Sequence, residues 1–104
     1  MKSVSPQELR TLLKDSKAVL IDIREQYELE ICKINAIHIP MAQVSSQLNK
    51  IATKKLCVVM CKTGKRAAAL ANMLFTDHEM SNIAVLEGGI LAWIEQIDNH
   101  LELY

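Results

Sequence analysis

Cys61 is followed by Lys62, Thr63, Gly64, Lys65 and Arg66, and the chemistry of that run begins with its sulfur. A cysteine acts as a nucleophile in its thiolate form. Before it stands the apolar run Val58-Val59-Met60, and after the loop comes Ala67-Ala68-Ala69-Leu70-Ala71, a strong helix former. The pattern predicts a strand, a tight loop and a helix, with Cys61 at the carboxyl end of the strand. Unpaired amides and the positive end of the helix dipole favour an anion at such a junction. A thiolate is such an anion. The matching chemistry is covalent catalysis in two steps: the thiolate attacks an electrophilic atom, holds the group, and releases it to a second acceptor. Amides from Lys62 to Arg66 are expected to ring the sulfur, with Gly64 letting the backbone curl where a β-carbon would clash. Lys62, Lys65 and Arg66 add attraction for an anionic donor or an acidic partner, each exposed cation contributing about 0.3–1 kcal/mol, less in salt.

The elements that must hold this loop can be read in order. Ser5-Pro6-Gln7-Glu8 is a capping box with proline at the first helical position, and Leu9, Leu12 and Leu13 follow at helical spacing. A helix to about Lys14 is expected, with Val4 ending a small first strand. Ala18 to Ile23 is an apolar run broken by one acid, the habit of a strand buried on both faces in a parallel sheet. Ala36 to Ile39 predicts a short strand halted by Pro40. Met41, Val44, Leu48 and Ile51 keep a helical period, so a helix near 42–52 is expected, then a solvated turn at Thr53-Lys54-Lys55. Leu56 to Met60 is the strand leading into Cys61. The helix after the loop should run to about Phe75, with a polar connection over 76–81. Ile83 to Leu86 is the last strand, Glu87-Gly88-Gly89 a flexible turn, and Ile90, Trp93, Ile94, Ile97 and Leu101 mark a final helical face. Strands alternating with helices give an α/β domain with a mostly parallel five-stranded sheet, and ligands of such sheets bind at the strands' carboxyl ends.

Taken together, several of these segments resemble the rhodanese family of sulfurtransferases. In that family a cysteine opens a six-residue loop closed by a helix and carries a persulfide. Leu20-Ile21-Asp22-Ile23-Arg24, with Glu25 and Tyr27 after it, is similar to the family segment in which an Asp-x-Arg closes the second strand. The resemblance implies that Asp22 and Arg24 brace the fold near the loop. Leu86-Glu87-Gly88-Gly89-Ile90-Leu91-Ala92-Trp93 resembles the family's Gly-Gly turn and helix with a buried tryptophan. Where many members have Gly-His, this chain has Ile31-Cys32. That variant, and the ending through Asp98 and Tyr104, is similar to the rhodanese domain of adenylyltransferases that activate sulfur carriers for molybdopterin and thiamine synthesis. The resemblance covers about Ser5 to Tyr104 and implies a single rhodanese-like domain over 1–104. It implies Cys61 as the catalytic residue and Lys62, Thr63, Gly64, Lys65 and Arg66 as the substrate-binding loop. The donor would be thiosulfate or a protein persulfide, with no cofactor and no metal. A sulfur-carrier protein or an adenylyltransferase would be the partner, and a non-catalytic docking module for either is the alternative. Cysteine phosphatases also close a Cys loop with Arg before a helix, but their loop is one residue longer. A shorter ring suits a sulfur atom better than a tetrahedral phosphate.

The remaining composition narrows the classes. Half of the 104 residues are apolar, and Lys plus Arg equals Asp plus Glu at 12 each. With no net charge there is no bias toward nucleic acid or membrane, which makes the cations at 62–66 a local feature. The three cysteines include no Cys-x-x-Cys pair and the three histidines do not cluster, so neither a disulfide scaffold nor a zinc site is expected. Cys57, inside a strand, reads as packing. Cys32 reads as packing too, or as a residue that resolves a persulfide. Trp93 reads as core. With neither a signal peptide nor a spanning segment in view, a reducing cytoplasm is the expected setting.

Overall fold

The computed structural model describes residues 2–51 and 54–101. The expectations that rest on Thr53 and Tyr104 lie outside the described residues. Among the described residues, five strands form one sheet: β1 (Lys2–Val4), β2 (Ala18–Asp22), β3 (Ile37–His38), β4 (Leu56–Met60) and β5 (Ile83–Leu86). They lie in the order β1-β5-β4-β2-β3, and every neighbouring pair is parallel. The central β4 is flanked on both sides, which is why its five residues can be a continuous apolar run. Its register sets Asp22 beside Met60, so the end of β2 is level with the start of the Cys61 loop.

Alternation along the strands separates two apolar layers. Ile21, Cys57, Val59, Ile83 and Val85 face one side with Cys61. There they meet Val44, Ile51, and Ala67, Leu70, Ala71 and Leu74 of α4 (Lys65–Asp77). Leu20, Val58, Met60, Ala84 and Leu86 face the other side. They pack on Leu9 of α1 (Pro6–Lys14) and on Ile90, Trp93 and Ile94 of α5 (Gly89–Gln96). Each large apolar side chain buried this way contributes roughly 1.5–3 kcal/mol before entropy is charged against it.

Helix α1 has the expected start. The Ser5 amide donates to Glu8 Oε1 at 2.9 Å, and the Glu8 amide to Ser5 Oγ at 3.1 Å. The Ser5 amide, then its hydroxyl, hold the Glu8 carboxyl below its usual range. The segment 41–51 differs from expectation. Met41–Gln47 is a 3-10 helix and only Leu48–Ile51, α3, is α-helical. The spacing of Met41 and Val44 is three residues, which suits a three-residue turn as well as an α-helix, so periodicity does not separate them. Helix α4 begins two residues before Ala67 and runs past Phe75 to Asp77; Thr76 still bonds back into it through Oγ1 to the Asn72 carbonyl at 2.9 Å. Helix α5 stops at Gln96. Ile97 and Asp98 amides both donate to the Trp93 carbonyl, and Trp93 Nε1 donates to Asp98 Oδ2 at 2.7 Å. Leu101 lies beyond the helix but still packs against the core.

Candidate active site

At the end of β4 the chain turns sharply around Cys61. The Gly64 amide donates to Cys61 Sγ at 3.1 Å and the Ala67 amide at 3.4 Å. Cys61 itself is 1% exposed. The sulfur therefore sits at the floor of the loop, screened from bulk water and held by backbone donors. Gly64 has φ of +105°, a conformation that side chains with a β-carbon rarely adopt, and it precedes the first turn of α4. Because α4 starts at Lys65, the amide of Ala67 is one of the unpaired donors of its first turn. That is why Ala67 joins the cup, a contact missed by assigning the ring to Lys62–Arg66. Around the rim, Lys62 is half-buried, while Thr63 and Lys65 are exposed.

The loop rests on α5. The Ile90 amide donates to the Cys61 carbonyl at 2.9 Å and the Leu91 amide to the Lys62 carbonyl at 3.2 Å. Gly89 has φ of +61°, and a β-carbon there would lie 2.4 Å from the Lys62 carbonyl oxygen and 2.5 Å from that of Cys61. The Gly88-Gly89 segment, expected as a flexible turn, is thus a close backbone-to-backbone seat for the Cys61 loop.

A second support comes from the end of β2. Arg24 is fully buried, and its guanidinium donates to both carboxylate oxygens of Asp22, with Nη2 to Oδ2 at 2.8 Å. It also donates to the carbonyls of Glu28 and Cys32, at 3.3 and 3.0 Å. Those two contacts tie down α2 (Gln26–Ile31). His38 Nε2 donates to the Arg24 carbonyl at 2.7 Å. Among the described residues, no buried side-chain nitrogen or oxygen lacks a partner.

Arg66 adds what the sequence did not suggest. Its Nη1 and Nη2 donate to Glu28 Oε1 and Oε2 at 2.7 and 2.8 Å, a bidentate pair. The Glu28 side chain is 5% exposed and that of Arg66 39%. Glu28 also accepts from the Glu25 amide at 3.2 Å. Sequence reasoning missed Glu28, because nothing local in a segment with Glu25, Glu28 and Glu30 marks one acid for burial.

The other cysteines stand apart. Cys57 Sγ donates to the Ile51 carbonyl at 3.1 Å, and burial pushes its thiol up to about 11. Cys32 packs in the layer on the opposite side of the sheet from Cys61. All three cysteines are free thiols. No helix among the described residues is long and apolar enough to cross a membrane.

Comparison with known proteins agrees with this architecture. A rhodanese-like domain model matches residues 5–96. The probable adenylyltransferase/sulfurtransferase MoeZ of Mycobacterium tuberculosis is 35% identical over 98% of the chain, which spans 27% of that protein. The adenylyltransferase and sulfurtransferase MOCS3 of Drosophila grimshawi is 31% identical over 88% of the chain, and here the chain spans 22% of the relative. The chain thus corresponds to about a quarter of the length of these curated relatives. Among solved structures, human single-domain sulfurtransferase TSTD1 superposes with a TM-score of 0.76 at 28% identity, covering 92% of this chain and 97% of that one. A rhodanese-related protein from Thermoplasma volcanium gives 0.78 at 31% identity, covering 93% and 94%. A family model that matches residues 5–96 shows the kinship: the chain belongs to the rhodanese-like domain family.

Proposed function

We propose that the chain is a sulfurtransferase whose Cys61 carries the transferred sulfur as a persulfide. The supporting observation is the pair of backbone amides, from Gly64 and Ala67, aimed at Cys61 Sγ. Such donors stabilise a charged sulfur without a metal and need no rearrangement as charge arrives. In the first step the Cys61 thiolate attacks the outer sulfur of a donor such as thiosulfate. The bond from sulfane sulfur to the sulfite group breaks, sulfite leaves with the electron pair, and Cys61 keeps an S–S anion. In the second step an acceptor thiolate or cyanide attacks the outer sulfur and the Cys61 thiolate departs. Lys62 and Lys65 draw the anionic donor to the rim, and Thr63 and Gly64 supply loop backbone. Thiosulfate treatment followed by intact-mass measurement tests this. The wild type should gain the mass of one sulfur atom, and Cys61→Ser should gain none. Sulfur transfer by Cys61→Ser at the wild-type rate would overturn the assignment.

The partner would be an adenylyltransferase or a sulfur-carrier protein. Support comes from relatives whose names join the two activities and of which this chain matches about a quarter. Fast turnover of thiosulfate by the isolated chain would instead favour an enzyme that needs no docking partner.

A further inference from the structure

We propose that Glu28 is a specificity-determining positioning residue, which pairs with Arg66 to weaken the loop's attraction for doubly charged sulfur donors. The inference rests on the sulfurtransferase reading of Cys61. Arg66 directly precedes Ala67, whose amide touches the sulfur, so a cation at this position would ordinarily act on any anion entering the loop. Here its guanidinium is held in a two-point pair by a carboxylate that is almost completely buried. Glu28 cannot easily turn away. Its Oε1 also accepts from the Glu25 amide, and its backbone carbonyl accepts from Arg24, itself fixed by Asp22. The pair has no net charge, so Glu28 offsets the Arg66 share of the attraction that the loop exerts on an anion.

A dianion gains more from each added positive charge than a monoanion does. Thiosulfate carries two charges and an alkyl persulfide, R–S–S⁻, one. The site as built therefore favours the second class relative to a loop with Arg66 uncompensated. With such a donor the Cys61 thiolate attacks the outer sulfur, the S–S bond breaks, and R–S⁻ leaves with the electron pair. Charge and atoms balance without any further reactant.

The test compares thiosulfate with glutathione persulfide as donors to wild type, Glu28→Gln, Arg66→Gln and the double variant, at low and high salt. Glu28→Gln keeps the shape and the Oε1 acceptor but removes the charge. Its KM for thiosulfate should fall about two- to fivefold at low salt, the range that one partly exposed charge supplies. Its KM for the persulfide should change less, and high salt should erase the gain. Arg66→Gln should raise the thiosulfate KM, and the double variant should return toward wild type. A purely bracing role for Glu28 would lower kcat for both donors alike and leave the KM ratio unmoved, and that result overturns the proposal. If Glu28→Gln does not fold, an unchanged thiosulfate KM in Arg66→Gln overturns it just as well. A wild type that gains sulfur from neither donor would instead remove the sulfurtransferase reading itself.

Discussion

Three cysteines in one small chain are all buried free thiols, and their surroundings differ. Cys61 has backbone donors at its sulfur, whereas Cys57 has apolar neighbours and one carbonyl acceptor. With its thiol pushed up to about 11, Cys57 stays protonated at neutral pH and should resist alkylation in the native protein. The same shift has a consequence for stability. In the unfolded chain this thiol ionises near 9.0, so between about 9 and 11 the unfolded state binds fewer protons than the folded one. Stability should therefore fall across that window, and Cys57→Ala should flatten the slope in urea titrations at successive pH values. Glu8 has the opposite sign. Its folded value lies below the ordinary 4.5, so its contribution is present above that pH and is lost as pH falls through the folded value. Glu8→Gln should remove that part of the acid dependence of the urea midpoint. The place of Cys61 between a strand and a helix was legible from the apolar run before it and the alanine-rich run after it. Glu28 was not, because burial of an acid depends on a partner 38 residues away in sequence.

Among the elements, those with a purely local cause were the most legible. Strands β4 and β5 have the bounds that their apolar runs suggest, and α1 begins at its capping box. The 3-10 helix at Met41–Gln47 was hidden, since side chains three and four apart satisfy both helix types over so short a span. The role of α5 was hidden for another reason: a Gly-Gly pair advertises a turn, and only the fold shows what backbone lies against it. Gly89→Ala places a methyl group on the carbonyls of Cys61 and Lys62 and forces a residue with a β-carbon to φ of +61°. The strain should cost on the order of 1–3 kcal/mol and shift the loop. Urea unfolding should register the first effect. Loss of sulfur loading, by intact mass, should register the second even in the fraction that stays folded.

Across the whole molecule, the sheet divides labour between its two faces and its two ends. One face carries α4 and the Cys61 side chain, and the other carries α1 and α5. At the carboxyl end of the strands, Asp22 and Arg24 connect the sheet to α2, and through Glu28 to the loop. Removing Arg24 alone should be severe, because it strands the buried Asp22 carboxylate; Arg24→Met is expected to cost roughly 3–5 kcal/mol. Replacing both partners, as Asp22→Leu with Arg24→Met, should recover part of that loss. Chemical denaturation of the three proteins measures the difference. The resemblance of the Asp-x-Arg segment pointed to this brace, but its extension to α2 needed the packed structure.

The seat that α5 provides also decides the electrical sign of what lies above it. The carbonyls of Cys61 and Lys62 are both taken by amides of Ile90 and Leu91. In a trans peptide unit the N–H and C=O point in opposite directions, so fixing an oxygen toward one helix aims its companion hydrogen away from that helix. These two peptide planes cannot turn an oxygen toward the opposite side of the loop without breaking those bonds. The polarity of the cradle is thus wired from a part of the chain some thirty residues downstream.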